Sequence, residues 1–195
     1  MQQDFIKRSE IERVALKSII QIAFDGKEYE YYLTPVDGYD IYDGYCMFFD
    51  PLTKSIIHRV LFEVKVRDRH YPNLLLEEKK WKDLKKKADE SGASVVYVNV
   101  TPNGSYLFNL TKLIGADIEW VEEDHWVSTT DKSRGKITKW VTYLPVEKAK
   151  SYYYTTSRAE LEWGKNNKTK EMDVEMISHR KRFCLFDSVL NKKDD

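Results

Sequence analysis

The most informative stretch of this chain is Leu61-Phe62-Glu63-Val64-Lys65-Val66-Arg67, which predicts a β-strand with one apolar face and one charged face. Successive side chains of a β-strand point to opposite faces, so Phe62, Val64 and Val66 are expected together on one face. The three charged residues are then expected on the other face. An isolated Glu-x-Lys of this kind is most often the solvated face of a half-buried strand, but three neighbouring features favour a different interpretation.

The first feature is Asp43, which precedes a predicted aromatic strand, Tyr45 to Phe49. An Asp-Pro turn joins this strand to a second one, Ser55 to Arg67, and the two predict a hairpin. With a simple four-residue loop Asp43 lies opposite Phe62, whereas a one-residue bulge places it opposite Glu63. The sequence leaves both registers open. Two facing carboxylates repel one another, so the second register is best explained by a cation between them.

The other two features lie on predicted helices. Residues Ser9 to Ile22 have apolar side chains at helical spacing. Glu12 lies at the edge of that apolar stripe, where it either completes a capping box at the helix start or faces the sheet. A second helix is predicted from Leu74 to Glu90. Lys80 shares a line with two leucines of this helix, and it either extends to solvent or points along the sheet toward Glu63 and Lys65.

These residue types match the needs of a hard metal ion. Proteins hold Mg²⁺ with one or two carboxylates, waters and phosphate oxygens. Asp43 and Glu63 supply two carboxylates, and the backbone carbonyl of Val64 supplies a further oxygen. A bound metal lowers the pKa of a water molecule and stabilises charge on phosphorus, and Lys65 can orient that water or neutralise the phosphate. The pattern therefore predicts chemistry on phosphate esters that depends on Mg²⁺ or Mn²⁺.

The order of these features resembles that of the PD-(D/E)XK nuclease superfamily, which includes restriction endonucleases and archaeal Holliday-junction resolvases. A helix bears Glu12, a strand begins near Asp43, the next strand carries Glu63-Val64-Lys65, and a helix carries Lys80. The resemblance covers residues 9–113. It implies a restriction-endonuclease-like α/β (α+β) fold, in which a mixed central β-sheet is flanked by helices in the order αβββαβ.

The resemblance also implies roles for these residues in a nuclease that cleaves DNA. Asp43 and Glu63, with Val64, would be metal ligands and Lys65 the catalytic lysine. Glu12 would be the auxiliary acid on the helix, and Lys80 the helix residue near the scissile phosphate. The literal Pro-Asp pair of the superfamily is absent, because a tyrosine precedes Asp43.

Charge distribution suggests where nucleic acid would bind. The 195-residue chain carries 32 basic and 32 acidic residues, but residues 132–195 contain 15 basic and 9 acidic ones. Phosphate contacts are expected in this basic segment. DNA is favoured over RNA as the partner. A homodimer is also possible. The predicted contacts surround a basic loop: Lys132, Arg134, Lys136 and Lys139. Neighbouring tryptophans either stack on bases or belong to the core.

Composition limits the remaining possibilities. Two cysteines far apart exclude a disulfide scaffold and a multi-cysteine zinc module, and they suit a reducing cytoplasm. The nuclease interpretation adds the expectation of a prokaryotic or phage-encoded protein. No run approaches about 18 consecutive apolar residues, so no membrane-spanning helix is expected. Residues 1–114 are predicted to form the nuclease-like core, and residues 115–195 a C-terminal extension of unknown role that packs on the same domain.

Two other interpretations stay open. In the first, the same fold is a non-catalytic module that binds nucleic acid or takes part in an assembly. In the second, the chain is an unrelated α+β interaction protein, and Glu63 and Lys65 are ordinary surface residues. Convergence of Asp43, Glu63 and Lys65 on one spot would argue against the second of these.

Overall fold

The structure is a computed structural model that describes residues 2–38, 40–113, 118–127 and 132–152. Its helices are α1 (Gln2–Ala23) and α2 (Glu78–Ser91). The strands, in chain order, are β1 (Tyr29–Leu33), β2 (Gly44–Phe49), β3 (Ile56–Val66), β4 (Asn73–Glu77), β5 (Ser94–Thr101), β6 (Gly104–Asn109), β7 (Val121–Trp126), β8 (Lys136–Pro145) and β9 (Lys150–Tyr152).

The strands form two sheets. The central sheet has the order β1-β2-β3-β5-β6-β9, in which β3 and β5 are parallel and the other neighbours are antiparallel. The second sheet, β4-β8-β7, is antiparallel. The fold is therefore mixed α+β with a central mixed sheet flanked by helices, as the sequence predicts. The central sheet and its helices follow the predicted order αβββαβ, and β4 is an addition to that order.

Strand β3 lies between two apolar cores, one on each face of the central sheet. Its residues Phe62, Val64 and Val66 pack with α1 on one face of the central sheet. Leu61 packs on the other face with side chains from α2, β4 and β8. Alternation along β3 thus places Phe62, Val64 and Val66 against α1, and it directs Leu61, Glu63 and Lys65 toward the opposite face.

The segment Leu74 to Glu77 is a strand, so the prediction of one helix from Leu74 to Glu90 is wrong at its start. Leu74 and Leu76 are buried with strand periodicity, and β4 pairs with β8, which lies more than sixty residues later in the chain. This pairing outweighs the local helical pattern, and a partner so far along the chain leaves no local signal of it. Lys80 is on α2, but it does not share a helical line with Leu76 as predicted.

The capping box predicted at Ser9 is also wrong. Helix α1 begins at Gln2, so Ser9 lies within the helix rather than at its start. Ser9 and Glu12 are both buried. The competing interpretation of Glu12, that it faces the sheet region, is the one compatible with this helix.

Residues 118–127 and 132–152 contribute to both sheets. Strands β7 and β8 complete the second sheet, and β9 pairs with β6 at the edge of the central sheet. Residues 153–195 lie outside the described residues. The boundary at residue 114 and the role of the C-terminal extension stay predictions.

Candidate active site at the free edge of β3

A bulge decides the register of the β2–β3 hairpin. The pairing shifts between Phe48 and Phe49, and as a result Gly44 lies opposite Phe62. The preceding residue, Asp43, is therefore brought to the level of Glu63, and its amide donates to the carbonyl of Phe62 at 2.7 Å. Of the two registers that the sequence leaves open, the structure has the bulged one.

Beyond Gly44, β3 continues without a strand on this side, within the part of the chain that the structure describes. Side chains form hydrogen bonds with the backbone groups that no strand pairs there. Asp43 Oδ2 accepts a hydrogen bond from the Val64 amide at 2.6 Å, and Lys65 Nζ donates to the Val64 carbonyl at 3.0 Å. Arg8 Nη2 donates to the Val66 carbonyl at 2.7 Å. Unpaired backbone groups are costly when buried, so this edge needs such partners.

Glu63 is the most deeply buried acid of the site, with 1% of its surface exposed. Its Oε1 lies 2.8 Å from Lys65 Nζ and 3.2 Å from Lys80 Nζ. Both contacts are ion pairs. Lys80 Nζ also donates to the Ile41 carbonyl at 3.0 Å. The buried carboxylate is thus balanced by two ammonium groups from different elements.

Glu12 reaches the same spot from α1. Its Oε1 lies 4.0 Å from Lys65 Nζ. Burial raises the pKa of Glu12; Lys65 lowers it, and the charges of Asp43 and Glu63 raise it further. For Lys65, burial lowers the pKa, but the three carboxylates raise it by more, so it lies above its ordinary value. Lys65 is therefore a fixed cation at neutral pH.

Arg13, which sequence reasoning did not single out, completes the site. Its Nη1 is 2.5 Å from Asp43 Oδ1, its Nε donates to the Thr34 carbonyl, and its Nη2 donates to Thr34 Oγ1, both at 2.8 Å. Gly44 explains how α1 comes so close: a Cβ there would lie 2.6 Å from Leu16 Cδ2. Leu16 is one helical turn after Arg13, so this close packing also positions Arg13 beside Asp43.

The structure therefore brings six charged side chains together at the free edge of β3, and we call this group the edge cluster. It contains three acids and three cations: Glu12, Asp43, Glu63, Arg13, Lys65 and Lys80. Five of them are predicted site residues. No local pattern distinguishes Arg13, because its partners Thr34 and Asp43 are 21 and 30 positions away in the chain.

Arg67, the third charged residue of the β3 motif, has a different position. Its Nε donates to Asn99 Oδ1 at 3.1 Å, and its Nη2 donates to Tyr97 Oη and the Leu75 carbonyl, both at 3.2 Å. Tyr97 Oη also donates to the Leu75 carbonyl, at 2.8 Å. Arg67 and Tyr97 thus tie the central sheet to β4, and this fixes the strand that carries Glu63 and Lys65.

The four cations predicted to bind nucleic acid lie on the β7–β8 region, which we call the basic hairpin. Lys132 and Lys136 place their ammonium groups 5.5 and 5.4 Å from the centre of the Trp126 ring, within cation–π range. Arg134 is exposed. Lys139 differs, because its Nζ donates to Glu77 Oε1 at 2.8 Å. Three of the four cations are thus exposed and the fourth is paired with an acid.

The edge cluster has the donor chemistry that Mg²⁺ or Mn²⁺ requires. Two carboxylates and the Val64 carbonyl are hard oxygen ligands. Among the described residues, no group of three or more His, Cys, Asp and Glu side chains is arranged to hold a metal. Asp43 and Glu63 would therefore need the carbonyl, waters or phosphate oxygens to complete a coordination shell, which is the usual situation for Mg²⁺.

Comparison with known proteins gives one structural likeness. No protein-family model matches the chain, and no curated protein matches it. Among solved structures, the chain is similar to Hjc, a Holliday junction resolvase from the archaeal hyperthermophile Archaeoglobus fulgidus. The match covers 55% of this chain and 82% of that one, with 15% sequence identity and a TM-score of 0.39. The interpretation of the site therefore depends on its own geometry.

Within the described ranges, no helix is both long enough and apolar enough to cross a membrane.

Proposed function

We propose that this chain is a metal-dependent nuclease that hydrolyses phosphodiester bonds of DNA. The observation that carries the proposal is the edge cluster. Glu63 and Lys65 lie on β3, and Asp43, just before β2, bonds the Val64 amide between them. Glu12 and Lys80 reach the same place from two helices. Unrelated surface charges have no reason to converge in this way around a carboxylate that is 1% exposed. The sequence resemblance to the PD-(D/E)XK superfamily supports the same proposal.

Each residue has a role in the proposed reaction. Asp43, Glu63 and the Val64 carbonyl would hold Mg²⁺ or Mn²⁺, which when bound would acidify a water molecule and stabilise charge on phosphorus. Lys65 stays protonated at neutral pH, so it orients the attacking water and offsets negative charge near the phosphate. Lys80 adds a second cation at Glu63, and Glu12 restrains Lys65 from the helix side.

The basic hairpin is the proposed surface for the DNA backbone. Lys132, Arg134 and Lys136 are exposed and would contact phosphates, with Lys139 as a weaker fourth contact because of its bond to Glu77. DNA is proposed in preference to RNA, and a homodimer is compatible with cleavage of both strands. We place the activity in the cytoplasm of a prokaryotic cell, and we assign it to a core of residues 1–114 with 115–195 as an extension.

Cleavage of DNA by matched variants tests the proposal. Wild-type protein, Asp43→Asn and Lys65→Ala are incubated with supercoiled plasmid, single-stranded DNA and branched DNA, each with Mg²⁺ or Mn²⁺. Wild type should cut at least one substrate, and both variants should lose cleavage by at least about a hundredfold. Lys65→Ala should retain DNA binding. Metal-free Asp43→Asn should bind DNA equally or more tightly, because a negative charge that repels phosphate is gone.

Glu28→Gln is the matched control, since Glu28 is an exposed acid paired with Lys54. It should cleave like wild type, and circular dichroism should show that all four proteins are folded. Equal cleavage by wild type and Asp43→Asn would place the activity at another site or in a contaminant.

A non-catalytic module that binds nucleic acid or takes part in an assembly is the alternative. The engagement of both Asp43 oxygens favours it, because Oδ1 contacts Arg13 and Oδ2 accepts from the Val64 amide. In that case Asp43 serves to cap the free edge of β3. Failure of wild type to cut any substrate, combined with salt-sensitive DNA binding, would support this alternative.

A further inference from the structure

Arg13 contacts one of the two carboxylate oxygens of Asp43. Nη1 of the guanidinium is 2.5 Å from Asp43 Oδ1, and the two side chains each have 13% of their surface exposed. The second Asp43 oxygen already accepts a hydrogen bond from the Val64 amide. A cation arriving at Asp43 therefore meets a carboxylate with no unengaged oxygen and a resident positive charge.

The guanidinium is held by more than the ion pair. Thr34 accepts two hydrogen bonds from Arg13, one on its carbonyl and one on Oγ1. Thr34 Oγ1 is itself oriented by the carbonyls of Tyr42 and Asp43, at 3.1 and 3.2 Å. Thr34 is buried. The planar guanidinium fork is thus bound on three of its nitrogens, which is the arrangement that favours arginine over lysine.

The other two proposed metal ligands, the Val64 carbonyl and Glu63, are also engaged by a cation. Lys65 Nζ donates to the Val64 carbonyl and pairs with Glu63. In this arrangement the edge cluster is balanced in charge without a divalent ion. A divalent ion added beside it gains the attraction of the acids but is repelled by the nearby cations.

We propose that Arg13 is an internal competitor for the divalent cation, which holds the Asp43 carboxylate in a closed, ion-paired form and thereby lowers the metal affinity of the site. This inference rests on the proposed function, because it takes Asp43 and Glu63 as the metal ligands. Arg13 is then a positioning residue that acts through Asp43. A purely structural arginine would give the opposite sign, because its loss would disorder Asp43 and weaken metal binding.

Binding of Mn²⁺ to the full chain without DNA tests this. Free Mn²⁺ is measured by electron paramagnetic resonance during titration with MnCl₂, for wild type, Arg13→Gln, Arg13→Lys and Arg8→Gln. Arg13→Gln should bind Mn²⁺ at least about tenfold more tightly than wild type, which corresponds to about 1.4 kcal/mol. Adding Asp43→Asn to Arg13→Gln should remove the gain.

Two variants serve as matched controls. Arg13→Lys keeps the positive charge, so its affinity should stay within about threefold of wild type. Arg8 lies on the same helix and donates to the Val66 carbonyl at the same sheet edge, so Arg8→Gln should also stay within about threefold. If Arg13→Gln does not fold, Thr34→Val replaces it. That variant removes the Oγ1 anchor of Arg13, and its affinity should rise by a smaller factor of about three.

The outcomes separate this inference from the proposed function. Affinity in Arg13→Gln equal to or weaker than that of wild type, with Asp43→Asn weakening both, would overturn the role of Arg13 and leave the metal site in place. Mn²⁺ binding that does not depend on Asp43 in any variant would overturn the metal site itself, and the inference with it.

Discussion

The edge cluster and the basic hairpin are both rich in charge, but the charges are buried and paired in the first and mostly exposed in the second. In the edge cluster, Arg13, Asp43 and Glu63 are buried or nearly so, and each faces an opposite charge. In the basic hairpin, Lys132 and Lys136 stay exposed and lie over the Trp126 ring. A buried charge must be paired to offset the loss of hydration, whereas an exposed charge keeps its water and stays available to a partner.

This difference assigns different work to the two regions. The buried charges hold one another in fixed positions, as a site for chemistry requires. The exposed charges are suited to attract a polyanion over a distance, and salt screens that attraction. Under the proposed function, the β3 edge would carry the chemistry and the β7–β8 region would attract the nucleic acid.

The largest expected difference in the free energy of unfolding comes from breaking one ion pair in each region. Arg13→Met leaves the Asp43 carboxylate buried and unpaired, and it should lower the free energy of unfolding by about 3 kcal/mol. Lys139→Met removes the pair with Glu77, whose side chain is 40% exposed, and should cost about 0.5 kcal/mol. Urea unfolding followed by circular dichroism measures both values.

The double variant Arg13→Met with Asp43→Asn is the control for this comparison. It removes the unpaired charge, so it should recover at least half of the stability that Arg13→Met loses. Equal losses in Arg13→Met and Lys139→Met would mean that burial does not distinguish the two regions.

The salt dependence of DNA binding sharpens the comparison from the other side. Replacing Lys132, Arg134 and Lys136 with glutamine should reduce the slope of log K against log salt by about 0.9 for each lost phosphate contact. Lys139→Gln should reduce it by less, because Glu77 already occupies that ammonium group. Fluorescence anisotropy with a labelled duplex, from about 50 to 200 mM salt, measures these slopes.

Arg13→Gln is the reference for the edge cluster in the same assay. Its slope should equal that of wild type, because Arg13 is engaged by Asp43 and Thr34. A slope lowered by Arg13→Gln, with no change from the three hairpin replacements, would reverse the assignment of the two regions.

The smallest expected effect is the pH dependence contributed by Glu12. Its pKa is raised in the folded protein by burial and by nearby acids, so the folded state favours the protonated form. The resulting stabilisation is fully present below about pH 4.5, the unfolded value, and is lost as pH rises through the folded value. The unfolding free energy of wild type minus that of Glu12→Gln should therefore fall as pH rises above about 4.5.

Lys65 provides a check on the cause. Because Lys65 lowers the pKa of Glu12, Lys65→Met should raise that pKa further and move the loss of stability to higher pH. Carboxyl-carbon nuclear magnetic resonance of Glu12 measures the pKa directly. A difference between wild type and Glu12→Gln that stays constant with pH would contradict the burial of this carboxyl group.

Part of the site could be predicted because its residues lie on elements with clear local patterns. Alternation on β3 placed Glu63 and Lys65 on one face, and the turn after Asp50 predicted the hairpin that carries Asp43. The register of that hairpin could not be predicted, because it depends on one extra residue, Ile57, opposite Phe48 and Phe49. Arg13 could not be predicted either, since nothing in a helix sequence marks an arginine whose partner is 30 positions away.

The sequence by itself determined the elements whose periodicity is local: helix α1, the β2–β3 hairpin, the apolar face of β3 and the charged face opposite to it. Only the tertiary structure decided that Leu74 to Glu77 is a strand, because its pairing with β8 outweighs a helical pattern. Only the tertiary structure, likewise, placed Arg13 on Asp43. The physical reason is the same in both cases: periodicity is a property of neighbours in the chain, whereas pairing and charge neutralisation depend on what folding brings close.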